Sequence, residues 1–312
     1  MSTVLITGAN GFIGSHLVEH CQKKGYTVLA GVREGSDLSQ LSHLNASIVP
    51  LAYLDVDVLK TQFQDIEFDY LIHLAGVTQA NSTQGYHEGN CAITKNLLTV
   101  AGASLKKFVL ISSLAARGPG YHSIDTPISP YGKSKLEAES LVRNSGTKFL
   151  IIRPTAVYGP GDLAFFPLFR WAKKGVIISL GNADRKLSFI HVADLCRLIL
   201  GGLKSDEETI YASDGKTYSL TEMNTVVKKV TGRKRYIYIS ISSLFFKMMM
   251  TVSEFFISTI FRSSWKYPKG KVSELVADDW SISANENMPR PSYNLEEGFQ
   301  RTLSFYKNAK WL

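Results

Sequence analysis

The sequence predicts an α/β protein: a doubly wound parallel sheet with a smaller C-terminal α/β lobe. Three observations carry that prediction. Short apolar runs alternate with amphipathic stretches through the first half of the chain, the pattern of buried strands joined by crossover helices. The first apolar run enters the first helical stretch through Thr7-Gly8-Ala9-Asn10-Gly11-Phe12-Ile13-Gly14. After Gly159-Pro160-Gly161 the alternation weakens, with neither an internal repeat nor a low-complexity linker.

Strands buried on both faces read as near-continuous apolar runs. On that basis strands are expected at Thr3–Ile6, Val28–Val32, Ile48–Leu51, Tyr70–Leu74, Phe108–Ile111 and Phe149–Ile152. Helical patterns at Ile13–Lys24, Asn90–Ala103 and Tyr131–Asn144 alternate with them. The last has a clear start, because Ser129 is a good N-cap and Pro130 fits the first helical position. A further strand at Val176–Leu180 and a helix at Val192–Leu203 follow. Residues 1–160 are expected to form the sheet domain, rejoined by about 190–213. Residues 161–189 and 214–312 would form the second lobe.

With 312 residues, 45% hydrophobic and 20% charged, the chain can bury a substantial core. Cys21, Cys91 and Cys196 are odd in number and far apart. They offer neither metal-ligand spacing nor a disulfide framework, so no metal is expected and a reducing, cytoplasmic compartment is. No secretory signal precedes Val4-Leu5-Ile6, and the mature chain is expected to start at Met1. The formal charge of +8 is concentrated: Lys228 to Lys271 holds ten Lys or Arg against Glu254 alone. A local anionic surface is the expected partner of that segment, not nucleic acid, for which no motif is present.

Gly8, Gly11 and Gly14 follow a strand and open a helix. In that context backbone N–H groups and a helix N-terminus can approach a pyrophosphate, which predicts a Rossmann-type dinucleotide site. The second strand ends in Gly31-Val32-Arg33-Glu34. Arg33 can pair with a 2′-phosphate, which favours NADP over NAD. Alternatively, Arg33 is a solvated loop residue and Glu34 takes the ribose, leaving NAD possible. Asp55 could accept from the adenine amino group, or simply cap a helix. Tyr131 and Lys135 stand four apart in a predicted helix and so share a face. There a fixed cation favours phenolate, and the pair suits acid/base work on a carbonyl or alcohol.

These motifs occur in order with His73-Leu74-Ala75-Gly76, Ser112-Ser113, Arg153-Pro154, Phe189-Ile190-His191-Val192-Ala193-Asp194 and Tyr293-Asn294-Leu295-Glu296-Glu297-Gly298. Together they resemble the extended short-chain dehydrogenase/reductase family, also called the NAD-dependent epimerase/dehydratase family, over nearly the whole chain. The resemblance implies that Tyr131 is the general acid/base, that Lys135 holds the nicotinamide ribose, and that Ser113 binds the substrate oxygen. It also implies cofactor contacts from Asn10, Phe12, Ile13, Val56, Leu74, Ala75, Gly76, Pro154 and Val157. A homodimer through the helices near Asn90–Ala103 and Tyr131–Asn144 is implied as well.

Two departures narrow the activity. Dehydratases of this family place an acidic pair after the active-site hydroxyl residue, whereas Leu114, Ala115 and Ala116 stand here. Water elimination then lacks its proton donor. Nucleotide-sugar epimerases carry an arginine four residues before the histidine matched by His191. That position is Leu187, with Arg185 and Lys186 close by, so a less charged substrate is favoured. His191 itself is read as an internally bonded residue at a strand-to-helix junction.

The expected reaction is NAD(P)-dependent interconversion of a carbonyl and a secondary alcohol in a small-molecule substrate. A nucleotide-sugar 4-epimerase with bound NAD and a non-catalytic cofactor sensor are the alternatives. Leu244 to Phe261 reads as a helix with one narrow polar stripe and a wide apolar face. It is either packed against the core or a partner subunit, or, flanked by the basic runs of 228–271, rests on the inner face of an anionic membrane.

Overall fold

The computed structural model describes residues 1–101, 105–250, 269–282 and 291–312. Its central sheet is built from β1 (Thr3–Thr7), β2 (Thr27–Val32), β3 (Ser47–Pro50), β4 (Tyr70–His73), β5 (Lys107–Ile111) and β6 (Phe149–Pro154). Later strands are β7 (Ala156–Tyr158), β8 (Val176–Leu180), β9 (Lys186–Leu187), β10 (Phe189–His191), β11 (Thr209–Ala212), β12 (Tyr218–Ser219), β13 (Ile237–Ile241) and β14 (Asp279–Trp280). The seven-stranded sheet runs β11-β6-β5-β4-β1-β2-β3, and every pairing in it is parallel. The order reverses at β1, whose Thr7 pairs with Gly31 on one side and His73 on the other. Ligand crevices of open α/β sheets form at such a reversal, beyond the carboxyl ends of the strands.

Alternation along each strand divides the core into two layers. Val4 and Ile6 of β1 pack on one face, with α1 (Phe12–Lys23) supplying Leu17, Val18 and Cys21 and α8 (Val192–Gly202) supplying Leu195, Cys196 and Ile199. Leu5 faces the other way, where α2 (Val56–Gln64), α4 (Ile93–Val100) and α6 (Pro130–Arg143) contribute Leu59, Ile93, Leu97, Ala138 and Val142. Each of these side chains is almost wholly removed from water, and each is worth roughly 1.5–3 kcal/mol where it is a full-sized apolar group.

The second lobe has an aromatic core of Tyr158, Phe169, Phe189, Phe299 and Tyr306. α7 (Phe166–Lys173), α9 (Leu220–Thr231) and the helix Leu295–Asn308 surround it. The run Val176–Leu180 does form a strand, but it pairs with β13 and not with the main sheet. The helix expected from Asn90 begins in a π-helical turn, His87–Ala92, preceded by α3 (Thr83–Tyr86); residues 102–104 at its end lie outside the described residues. Of the helix expected over Leu244–Phe261, residues up to 250 are helical and the rest lies outside the described residues. Among the described residues no helix is long and apolar enough to cross a membrane.

Candidate active site

The glycine loop needs its glycines for space. Gly8 adopts φ +68°, and a Cβ there would lie 2.8 Å from the Ala75 nitrogen. At Gly14 a Cβ would sit 2.2 Å from the Gly8 carbonyl oxygen, so the first turn of α1 can lie this close to the loop only without a side chain. Gly11 caps α1 with no side-chain hydrogen bond, which leaves the N-terminal amides for a ligand. An uncapped helix start behind a side-chain-free turn fits a dinucleotide pyrophosphate. Phe12 and Ile13 open the helix, and Asn10 donates to the Asp37 carbonyl at 3.1 Å. Leu74, Ala75 and Gly76 line the facing end of β4, where the Ala75 amide donates to Thr7 Oγ1 at 3.2 Å.

Across the crevice Ser129 caps α6, accepting from the Gly132 amide at 2.9 Å, and Tyr131 follows in the first turn. Burial pushes its pKa up to about 12; the nearby Ser113 hydroxyl opposes that rise and the Glu274 carboxylate adds to it. Ser113 is held in turn as the cap of α5 (Leu114–Arg117), accepting from the Ala115 amide at 3.1 Å. Lys135 is buried, and its ammonium donates to the Ile111 carbonyl at 2.7 Å. Burial lowers its pKa to about 8, against an opposing pull from Glu139. The structure thus sets Ser113 near Tyr131 and places Lys135 one turn along the same helix face. Pro154 and Val157 lie at the end of β6 and in β7.

Ser112 takes a different role from its neighbour. Its hydroxyl donates to Glu139, a fully buried carboxylate that also receives Arg153 through Nε at 2.9 Å and Nη2 at 2.6 Å. Arg153 reaches on to Tyr211 at 2.8 Å and Asp125 at 2.6 Å. A buried charge is tolerated when it is paired in this way, and the network ties β5, α6 and β6 together behind Tyr131 and Ser113. Asn90, which the sequence reading did not single out, bridges the other side. It donates to the Val77 carbonyl at 3.1 Å and to Ser134 Oγ at 2.9 Å, and accepts from the Val77 amide at 3.0 Å. His73 lies between Thr7 at 2.7 Å and Thr94 at 3.0 Å, and burial lowers its pKa to about 3. Such a neutral imidazole braces the strands.

Other candidates lie at the margin. Asp55 caps α2, accepting from the Asp57 and Val58 amides at 3.2 and 3.1 Å, with Val56 exposed beside it. Arg33 is exposed just beyond β2. His191 caps α8 through the Ala193 amide at 3.2 Å, and burial takes its pKa down to about 4. His87, Cys91 and Glu137 place donor atoms within 4.8 Å of one another. That group comprises a His87–Glu137 pair at 3.3 Å and a thiol donating to the Ser134 carbonyl at 3.1 Å.

The profile of the NAD dependent epimerase/dehydratase family matches residues 4–212, from the glycine loop through the Tyr131–Lys135 helix to β11. The chain belongs to that family. As a member it is an enzyme of the extended short-chain dehydrogenase/reductase type, among NAD-dependent epimerases, dehydratases and reductases. Among its relatives is a ceramide reductase of Caulobacter vibrioides, 29% identical over 320 aligned residues that cover 99% of this chain and 96% of that protein. A UDP-glucose 4-epimerase of Vibrio cholerae is 31% identical over 246 residues, covering 71% of this chain and 73% of that one. The solved structure of UDP-glucuronic acid 4-epimerase from Bacillus cereus with NAD superposes with a TM-score of 0.71 at 22% identity, covering 98% and 99% of the two chains. This family member therefore shares its fold with NAD-binding epimerases and aligns end to end with a reductase.

Proposed function

We propose that this enzyme interconverts a carbonyl and a secondary alcohol in a hydrophobic, lipid-like substrate. One observation carries the reading. Where a nucleotide-sugar epimerase would present an arginine to the diphosphate, this chain has Leu187 in β9. The nearby Arg185 is 9% exposed, and its Nη1 donates to the carbonyls of Leu180 and Leu275. A guanidinium buried and anchored in this way is held back from a ligand's diphosphate. The ceramide reductase that aligns along 99% of this chain supports the same substrate class.

In this reading Tyr131 transfers the proton to or from the substrate oxygen, Ser113 orients that oxygen, and Leu114, Ala115 and Ala116, all buried, keep carboxylates away from the reacting carbon. Lys135 turns toward the nicotinamide ribose, and the glycine loop with the α1 N-terminus holds the pyrophosphate. When bound, the nicotinamide supplies or accepts the hydride. Arg33, exposed beyond β2, supports a preference for NADPH over NADH. The test is consumption of NADPH, followed by absorbance, on adding a long-chain ketone or a UDP-sugar. Net oxidation with the ketone alone supports the proposal, and epimerisation of the sugar without net oxidation contradicts it.

A membrane-facing surface fits the same substrate class. Ile237, Tyr238, Leu244, Phe245 and Met248 are exposed, and Arg233, Lys234 and Arg235 stand beside them, also exposed. Apolar side chains ringed by cations bind anionic bilayers through both insertion and attraction. Co-sedimentation with vesicles containing phosphatidylserine is expected at low salt and should fall at high salt. Protein that stays in the supernatant at low salt would count against this contact.

A further inference from the structure

The helix Lys269–Val276 of the second lobe reaches the start of α6, well over a hundred residues away in sequence. Glu274, 8% exposed, accepts from the hydroxyl of Ser129, the same hydroxyl that caps α6 by accepting from the Gly132 amide. Glu274 is itself paired with Lys271 at 3.0 Å. The Lys271 ammonium in turn lies 5.7 Å from the centroid of the Tyr131 ring, within range of a cation–π attraction. Within the segment, Trp280 Nε1 donates to the Glu274 carbonyl at 2.8 Å. Two bonds fasten it beside the site: in the loop after α5 the Gly120 amide donates to the Asp279 carbonyl at 2.7 Å, and the Tyr121 amide to the Asp279 carboxylate at 3.2 Å.

We propose that Lys271 and Glu274 are positioning residues for Tyr131, coupling the proton donor to the docked second lobe. The inference rests on Tyr131 being the acid/base of the reaction proposed above. Glu274 acts through Ser129, fixing the first turn of α6 and with it the direction of the phenol. Lys271 acts on the ring face, and the two charges oppose each other at the phenol oxygen. The carboxylate favours the protonated phenol, and the ammonium favours phenolate. The other groups facing Tyr131 are Tyr86 from α3, Ser113 from the cap of α5 and Lys135 from α6 itself. None of these belongs to the second lobe.

The decisive experiment titrates Tyr131 directly, so that its outcome does not depend on which substrate is turned over. Difluorotyrosine introduced at position 131, with its more acidic phenol, reports the midpoint by fluorine NMR in the full-length protein. Lys271→Met is expected to raise that midpoint by roughly 0.5–1 pH unit, and Glu274→Gln, which keeps an acceptor for Ser129, to lower it by a similar amount. Lys271→Arg should restore the original midpoint. Midpoints that stay put in both variants, or that move in the same direction as general loosening would produce, overturn the proposal. A ketone left unreduced by the wild type while the midpoints diverge would instead fault the assigned reaction and leave the positioning roles standing.

Discussion

Replacing Tyr131 by phenylalanine is expected to lower kcat by about 100- to 10,000-fold, the usual contribution of a positioned general acid, with cofactor affinity changed only a few-fold. The expectation follows from what the substitution removes. Phenylalanine keeps the ring beneath Lys271 and beside Tyr86 and deletes only the hydroxyl near Ser113. The glycine loop, the α1 N-terminus and Lys135 are untouched, so calorimetric titration with NADPH should give nearly the wild-type affinity. A variant that turns over within a few-fold of wild type would remove Tyr131 from the chemistry.

The largest expected stability effect is at Arg153. Arg153→Met should cost about 3–5 kcal/mol, the range found when one member of a buried ion pair is removed. The side chains of Arg153 and Glu139 are 4% and 1% exposed. Without the guanidinium, Glu139 keeps the Ser112 hydroxyl, the distant edge of Arg143 at 3.9 Å and the attraction of Lys135, which do not replace a bidentate partner for a carboxylate deprived of water. Urea unfolding followed by circular dichroism measures the loss as a fall in midpoint at constant slope. A change below about 1 kcal/mol would mean that solvent reaches Glu139. Kinetics should suffer in parallel, since α6 carries both Glu139 and Tyr131.

Much of the site was legible in the sequence because its parts are local. The glycine loop lies within eight residues, Tyr131 and Lys135 sit one helical turn apart, and Ser129 with Pro130 announces where that turn begins. Parallel strands were legible because burial on both faces leaves unbroken apolar runs, as in Val4-Leu5-Ile6. What escaped depends on contacts between elements. The resemblance points to Ser113 and gives Ser112 no role; only β5 laid beside α6 shows the Ser112 hydroxyl directed to Glu139. Asn90 carries no motif, and its three hydrogen bonds exist only because the end of β4 meets α6. β13 was missed because its side chains are mostly exposed, so it lacks the pattern of a buried strand. Lys271 is the last residue of the basic stretch that the sequence reads as facing an anionic surface, and Glu274, just beyond it, carries no motif.

Net redox chemistry on a hydrophobic carbonyl, instead of the return of reducing equivalents to a sugar, is the reaction proposed for this enzyme. Absorbance at the nicotinamide band, followed after mixing enzyme and NADPH with a long-chain ketone, tests it most directly. Stoichiometric NADPH oxidation is expected with the ketone, slower oxidation with NADH, and no net change with UDP-glucose or UDP-galactose. Interconversion of those two sugars at constant absorbance, with no oxidation in the presence of the ketone, would contradict it.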